Sequence, residues 1–242
     1  MNGVEINNGL LRHYGLARSR WGRGHLKTKL ACKRLGWCCR IHGGPMLKRS
    51  FDFSVSLLLL ALLSPVFLLI ALLVKWEDGG PIIFAQTRVG QFGREFKMFK
   101  FRSMCLDAEK RLQELISQNR HANGITFKIK DDPRITRTGW WLRKFSLDEL
   151  PQIYNVLIGD MSLVGPRPPL PREVLRYSLA DRRRLAAPPG ITCFWQISGR
   201  SEIDFAGQVK LDVRYIENQD FWMDVKILAL TLPAVVRGKG AC

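Results

Sequence analysis

Acidic residues are scarce in this chain. Its 242 residues hold 21 Asp and Glu against 38 Lys and Arg, a net charge of +17. Such a balance disfavours cationic partners and favours anionic ones: lipid headgroups, nucleotides or nucleic acid. Residues 1–50 alone carry seven Arg and four Lys against one Glu, about +10 of the total. No recognisable nucleic-acid reader module accompanies that charge, so nucleic acid is not the expected partner. The six cysteines (Cys32, Cys38, Cys39, Cys105, Cys193, Cys242) lack framework spacing, which argues against a disulfide scaffold. Free thiols in a reducing cytoplasm are the simplest expectation. Cys32, Cys38, Cys39 and His42 contain no C-x-x-C pair and fit no zinc-finger spacing. Neither an internal repeat nor a low-complexity tract is present, and no cleavable signal is expected ahead of the first long apolar segment.

Long apolar runs are also few. The one that stands out is FSVSLLLLALLSPVFLLIALLV, residues 53–74, 22 uncharged residues with Pro65 near the middle. As a helix starting near Ser50 it would reach ~33 Å, about one hydrocarbon thickness. Lys48 and Arg49 precede it and Lys75 follows, so the positive-inside rule pulls both ends to the same side. Pro65 lacks an N–H and bends or breaks a helix, and Ser64 can satisfy a freed carbonyl. The residues alone leave two readings open: a Pro-kinked spanning helix and a re-entrant hairpin.

Three regions follow. Residues 1–46 read as a basic, flexible arm attracted to membranes, with a short helix around residues 26–40. Residues 47–76 are the membrane helix, and 77–242 a catalytic-type domain. Within that domain, residues 82–89 and 95–102 alternate as two strands around a Gly-rich turn, a small hairpin. Helices are expected over 105–120, 147–158, 171–186, 203–217 and 221–236. The last, FWMDVKILALTLPAVV, is too short to span and fits an interfacial helix or a buried core helix. The segment GPRPPLP, residues 165–171, cannot be regular helix or central strand. The fold class is therefore α+β, mainly helical: a membrane helix and a small domain with a short β-hairpin and interfacial amphipathic helices.

Four clusters can carry chemistry: KFRSM after the second strand, Arg143 with SLDELPQ, SLVGPRP, and PGIT with WQISGR. Ser146-x-x-Glu149 has the form of a capping box, and pattern alone favours that structural role for Asp148 and Glu149. Yet adjacent carboxylates at a helix start point ~100° apart, so one can attack phosphorus while the other holds a metal or positions a partner. Lys100, Arg102, Arg143, Arg167 and Arg200 each sit in a turn-rich or Gly/Pro-rich context. Any one alone reads best as a surface cation; five beside a carboxylate pair point to phosphate chemistry.

The ordered set KRSFD, the run with Ser-Pro at its middle, GPIIFAQTRVGQFG, KFRSM, SLDELPQ, SLVGPRP and PGIT…WQISGR resembles the bacterial sugar transferases, the monotopic phosphoglycosyl transferases, over residues 47–240. The resemblance implies transfer of a sugar-1-phosphate from a UDP-sugar to polyprenyl (undecaprenyl) phosphate with release of UMP, initiating exopolysaccharide or another surface glycan. It implies Asp148 as nucleophile, Glu149 as metal or positioning partner, Mg²⁺ held by the pair, and Lys100, Arg143, Arg167 and Arg200 near phosphates or nucleotide. It implies a re-entrant helix broken at Ser64-Pro65 and anchored by Lys48, Arg49 and Asp52, with the catalytic domain on the cytoplasmic face of the bacterial inner membrane. Membrane lipids and a second copy of the chain are the further partners it suggests. The chain departs from the family's common PGITG at Cys193, which puts the local backbone and sugar contacts in question. The competing expectation is a non-enzymatic basic membrane scaffold, its carboxylates acting as helix caps.

Overall fold

The computed structural model describes residues 44–108, 110–111, 132–198 and 203–237. The arm, its expected helix, the Cys32–His42 segment, Arg200 and most of the expected helix over 105–120 lie outside them.

The apolar run is two helices. Helix α1 (Gly44–Leu62) and helix α2 (Ser64–Asp78) meet at a bend of 61°. Helix α1 thus starts six residues before Ser50. Pro65 occupies the first turn of α2, where its missing N–H costs nothing. Ser64 Oγ donates to Ala61 O at 2.9 Å across the break. Burial on this pair is inverted relative to a water-soluble protein. Asp52 and Ser56 are 3% and 0% exposed, whereas Leu58, Leu62, Leu68 and Leu72 are 58–69% exposed.

Asp52 is buried because it is bonded. Its Oδ1 accepts from Leu163 N at 3.1 Å. Arg49 donates to Val156 O and Leu157 O at 2.6 and 2.8 Å. It thereby caps a helix C-terminus, where carbonyls lack partners and a cation suits the dipole. At the far end of α2, Asp78 pairs with Arg102, and Glu77 Oε1 accepts from Thr138 N at 3.2 Å. Both arms of the bent pair are thus tied to the domain that follows.

Strands β1 (Ile83–Val89) and β2 (Glu95–Phe101) form the expected antiparallel hairpin, Phe84 opposite Lys100 and Arg88 opposite Phe96. Helix α3 (Arg137–Lys144) is capped by Thr136, whose Oγ1 accepts from Gly139 N at 3.0 Å. A 3-10 turn, Leu147–Glu149, leads to helix α4 (Gln152–Ile158). The expected helix over 147–158 therefore breaks at Pro151. Strand β3 (Ser162–Val164) pairs in parallel with β4 (Gly190–Thr192), a contact that period-2 reasoning cannot find in three-residue strands. Between them, the expected helix over 171–186 is only α5 (Pro171–Val174) and a 3-10 segment, Asp181–Ala186. Helices α6 (Phe194–Ser198), α7 (Phe205–Glu217) and α8 (Phe221–Arg237) complete the domain.

The core lies between β2, β3, α4, α7 and α8, filled by Phe96, Met98, Val156, Leu163, Tyr215 and Ile227 among others. Asn155, fully buried on α4, acts as an extra strand partner. Its Nδ2 donates to Lys97 O at 2.7 Å and its Oδ1 accepts from Phe99 N at 3.0 Å. A satisfied amide of this kind fixes register where apolar contact alone would allow slippage. A second cluster, Ile70, Val74, Phe101 and Leu142, seats α2 against β2 and α3. Helix α8 buries Asp224 and Ile227 but leaves Trp222 76% exposed, so one face belongs to the core.

Candidate active site

The carboxylate pair lies on the 3-10 turn, which is short because Pro151 follows and Ser146 precedes it at φ 55°. Left-handed Ser146 makes no side-chain capping bond, so the expected capping box does not form. Glu149 turns instead to the end of β2, where Lys100 Nζ meets its Oε1 at 2.7 Å. Both side chains are partly screened, 17% and 24% exposed. Asp148 is 6% exposed.

Environment separates the two carboxyls. Burial raises Asp148 above the ordinary range; Lys100 and Arg143 pull it back, and the Glu149 charge adds to the rise. Burial acts on Glu149 too, but Lys100, Arg167 and Arg88 outweigh it and hold that carboxyl low. One member is a poorly solvated carboxylate, suited to attack; the other is a fixed charge.

The cations arrive from separate elements. Lys100 ends β2. Arg143, on the last turn of α3, donates from Nε to Ser103 Oγ at 3.1 Å. Arg167 projects from the Pro-rich loop after β3, its guanidinium 5.8 Å from the Trp195 ring centroid. That loop is held by β1: Arg88 donates to Pro168 O at 3.0 Å, and Val89 N to Pro169 O at 2.9 Å. Gly165 and Gly190 let the two motif strands touch. A Cβ on Gly165 would lie 2.3 Å from Pro188 O, and one on Gly190 2.0 Å from Gly165 N.

The result is a cleft lined by Arg88, Lys100, Glu149, Gln152, Arg167 and Gln196, with Met98, Pro168, Gly190 and Ile191. Two of the expected phosphate binders, Lys100 and Arg167, face it together. Arg143 acts on Asp148 from α3. Arg102 stands elsewhere: it is 8% exposed and paired with Asp78, a tie between α2 and the residue just after β2, and not part of the cleft lining. Arg200 lies outside the described residues. Arg49, Asp52, Ser64 and Pro65 take the helix positions given above, and Lys48 lies on α1.

Three lining residues carry no sequence signal of their own. Gln152 and Gln196 sit inside quoted motifs as ordinary amides. Arg88 reads as one more charge in a strand. Its environment is distinctive: burial first, then the nearby Arg167 charge, push its pKa down to about 10. Two guanidiniums close enough to oppose one another, with Lys100 beside them, make a site that an anion would stabilise.

A divalent cation needs oxygen donors. Among the described residues no group of three or more His, Cys, Asp or Glu is placed to hold a metal. Asp148 and Glu149 are two hard donors beside a cationic cleft. That fits Mg²⁺, which binds through one or two carboxylates and completes its shell with substrate phosphates and water.

Comparison with known proteins places this arrangement. The sequence profile of the family described as bacterial sugar transferase matches residues 44–238. Galactosyl transferase CpsE of Streptococcus agalactiae serotype III is 55% identical over 166 residues, 68% of this chain and 37% of that protein. Exopolysaccharide production protein ExoY of Sinorhizobium fredii is 43% identical over 201 residues, 82% of this chain and 89% of the relative. Undecaprenyl-phosphate galactose phosphotransferase of Salmonella typhimurium is 44% identical over 198 residues, 81% of this chain and 41% of that protein. The chain thus spans less than half the length of two of these relatives and most of the third. With the profile running through the bent helix pair, the carboxylate turn and the paired motif strands alike, this chain belongs to the bacterial sugar transferase family.

Proposed function

We propose that this protein transfers a sugar-1-phosphate from a UDP-sugar to undecaprenyl phosphate, releasing UMP, as the initiating step of exopolysaccharide or another surface glycan. The observation that carries the reading is the carboxylate turn: Asp148 desolvated and Glu149 ion-paired to Lys100, next to a cleft where Arg88 and Arg167 converge. Asp148 attacks the phosphorus that bears the sugar. A bond forms from its carboxylate oxygen to that phosphorus, the diphosphate P–O bond breaks, and UMP leaves with the electron pair. An oxygen of the polyprenyl phosphate then attacks the same phosphorus and displaces Asp148, restoring the carboxylate. Lys100, Arg167 and Arg143 balance charge on the transferring group, with Arg200 as a further candidate. Glu149 keeps Lys100 oriented and, with Asp148, would hold Mg²⁺; the ion supplies charge neutralisation on the diphosphate. Arg88 keeps the Arg167 loop in place.

The substrates dictate the location. A polyprenyl phosphate presents its head at the interface, while a nucleotide sugar arrives from water. We place the bent pair α1–α2 as a re-entrant hairpin dipping into one leaflet of the cytoplasmic membrane, the domain on the cytoplasmic face. Its support is the 61° bend at Ser64-Pro65 and the ties from Arg49, Asp52, Glu77 and Asp78 to one domain. Single cysteines introduced before α1 and after α2 should both react with a membrane-impermeant thiol reagent only from the cytoplasmic side. Labelling of the two sites from opposite sides would establish a spanning helix.

The activity is tested by incubating the purified chain with undecaprenyl phosphate and a panel of UDP-hexoses and UDP-N-acetylhexosamines. UMP should appear with at least one donor, need the lipid phosphate for turnover, and stop on chelation of divalent metal. A panel with no UMP release in the presence of Mg²⁺ would remove the proposal.

A further inference from the structure

Cys193 stands between strand β4 and the five-residue helix α6. So short a helix cannot hold itself, and its entry must be fixed from outside its own ladder. Cys193 fixes it with two bonds. The Gln196 backbone N–H donates to its sulfur, and its thiol donates to Gln196 Oε1 at 3.3 Å. The form is that of a capping box with sulfur in place of a hydroxyl: the residue before the helix holds both the backbone and the side chain of the third helical residue. The two bonds also settle which way the Gln196 carboxamide points. The backbone N–H occupies the sulfur as an acceptor, so the thiol gives its own proton, and only Oε1 can receive it. Cys193 is 3% exposed; burial first, then the Asp212 charge, push its thiol well up, so the proton to be donated is present at neutral pH.

Helix α6 thereby brings two residues to the substrate side. Trp195 lies under the Arg167 guanidinium, and Gln196 lines the cleft with Arg88, Lys100 and Arg167. With Oε1 turned to Cys193, Nε2 is the end of the carboxamide left for the cleft. Among the described residues it donates to no protein group. What meets it must be an acceptor. The cations beside it answer phosphate oxygens; a neutral amide N–H suits a carbonyl or hydroxyl oxygen. A reactive thiol is the other use of a cysteine near a site. Reactive thiols are accessible and readily deprotonated, and Cys193 is neither.

We propose that Cys193 is a positioning residue for the sugar donor: it locks the Gln196 carboxamide with Nε2 in the cleft, where it donates to a neutral acceptor oxygen of the UDP-sugar, a uracil carbonyl or a sugar hydroxyl. The inference rests on the transferase reading of the cleft. Gln196 touches the substrate, and Cys193 acts only through it. Freed from the thiol, the carboxamide turns about its last torsion, which has two broad wells, and sets Oε1 against the same acceptor for part of the time. Two facing acceptors repel, so the lock contributes to binding although the thiol itself meets no ligand.

The test is calorimetric titration of the solubilised full chain, with Mg²⁺, by UMP and by the UDP-hexose and UDP-N-acetylhexosamine panel, together with KM and kcat for each donor that turns over. Cys193→Ala should weaken UDP-sugar binding about fivefold, the scale of one neutral hydrogen bond, and raise KM by the same factor while kcat changes less. Cys193→Ser, which keeps a donor at the same place, should recover most of that loss. Gln196→Ala should show a loss at least as large, and Cys193→Ala added to it should change nothing further. UMP separates the two acceptors: weakened as much as the UDP-sugar, it assigns the oxygen to uracil; bound as in wild type, it assigns the oxygen to the sugar. Equal binding by wild type and Cys193→Ala overturns the proposal, as do additive losses in the double variant, a serine no better than alanine, or a wild type that binds neither UMP nor any UDP-sugar. Binding needs no turnover, so it decides the Cys193–Gln196 pair even if no donor yields UMP.

Discussion

Asp148→Asn should lower UMP release by about 10³-fold or more, the scale on which removal of a covalent nucleophile acts. Asn has nearly the shape of Asp, so the 3-10 turn and its packing survive. Its neutral amide oxygen is a poor nucleophile toward phosphorus. Glu149 is not expected to take over, because its carboxylate is ion-paired to Lys100 at 2.7 Å. On the proposed mechanism wild type should acquire an acid-stable radiolabel from a donor labelled in the phosphate next to the sugar, and the variant should lose it. A scaffold whose carboxylates merely capped a helix would be indifferent to this change. The structure already weakens that alternative, since Ser146 makes no cap bond and Glu149 is spent on Lys100. Survival of UMP release in Asp148→Asn would place the nucleophile elsewhere and leave Glu149 as the first residue to test.

The parts of the fold that could be read from residue order were those with strong local signals. Alternation around the Gly-rich turn located β1 and β2 to within one residue at each end. Ser64-Pro65 located the bend, because a missing N–H and a steric clash act whatever the surroundings. The capping box failed for a reason outside its own residues: Lys100, 49 positions away, binds Glu149 more strongly than a backbone N–H could. Arg102 too has a distant partner. Two residues from Lys100 in sequence, it lies beyond the end of β2 and is drawn to Asp78 of α2. Arg88 was invisible because its importance lies in what it holds, a proline carbonyl 80 residues on. The parallel pairing of β3 with β4 explains why SLVGPRP and PGIT act together. Three-residue strands have no usable period, and only the Gly165–Gly190 contact betrays them.

The second large effect is on stability. Arg184→Met should destabilise the folded chain by about 3–5 kcal/mol, the usual cost of stripping one partner from a buried ion pair. Arg184 and Asp212 are 4% and 1% exposed and meet at 2.5 Å, joining the 3-10 segment Asp181–Ala186 to α7. The guanidinium also donates to Tyr177 Oη at 3.2 Å and lies 5.8 Å from the Tyr177 and Phe205 ring centroids. Two atoms of the pair, Arg184 Nε and Asp212 Oδ1, have no hydrogen-bond partner, so the pairing only partly offsets desolvation. Consistent with that, burial lifts the Asp212 carboxyl to about 6 against the pull of Arg184. Without the arginine the carboxyl must be buried either charged and alone or protonated. The melting midpoint of the purified variant should drop by roughly 10 °C. Because the pair is costly in itself, Arg184→Met with Asp212→Leu should recover more than half of that loss. The cleft gives this structural effect a functional reach: Gly190 and Gln196, which line it, lie in sequence between the two segments that the pair joins. The single variant should therefore lose UMP release at temperatures where wild type is folded, and the double variant should regain it. Equal midpoints for wild type and Arg184→Met would show that the pair contributes nothing net; a double variant no better than the single would show that the loss is one of packing and not of an uncompensated charge.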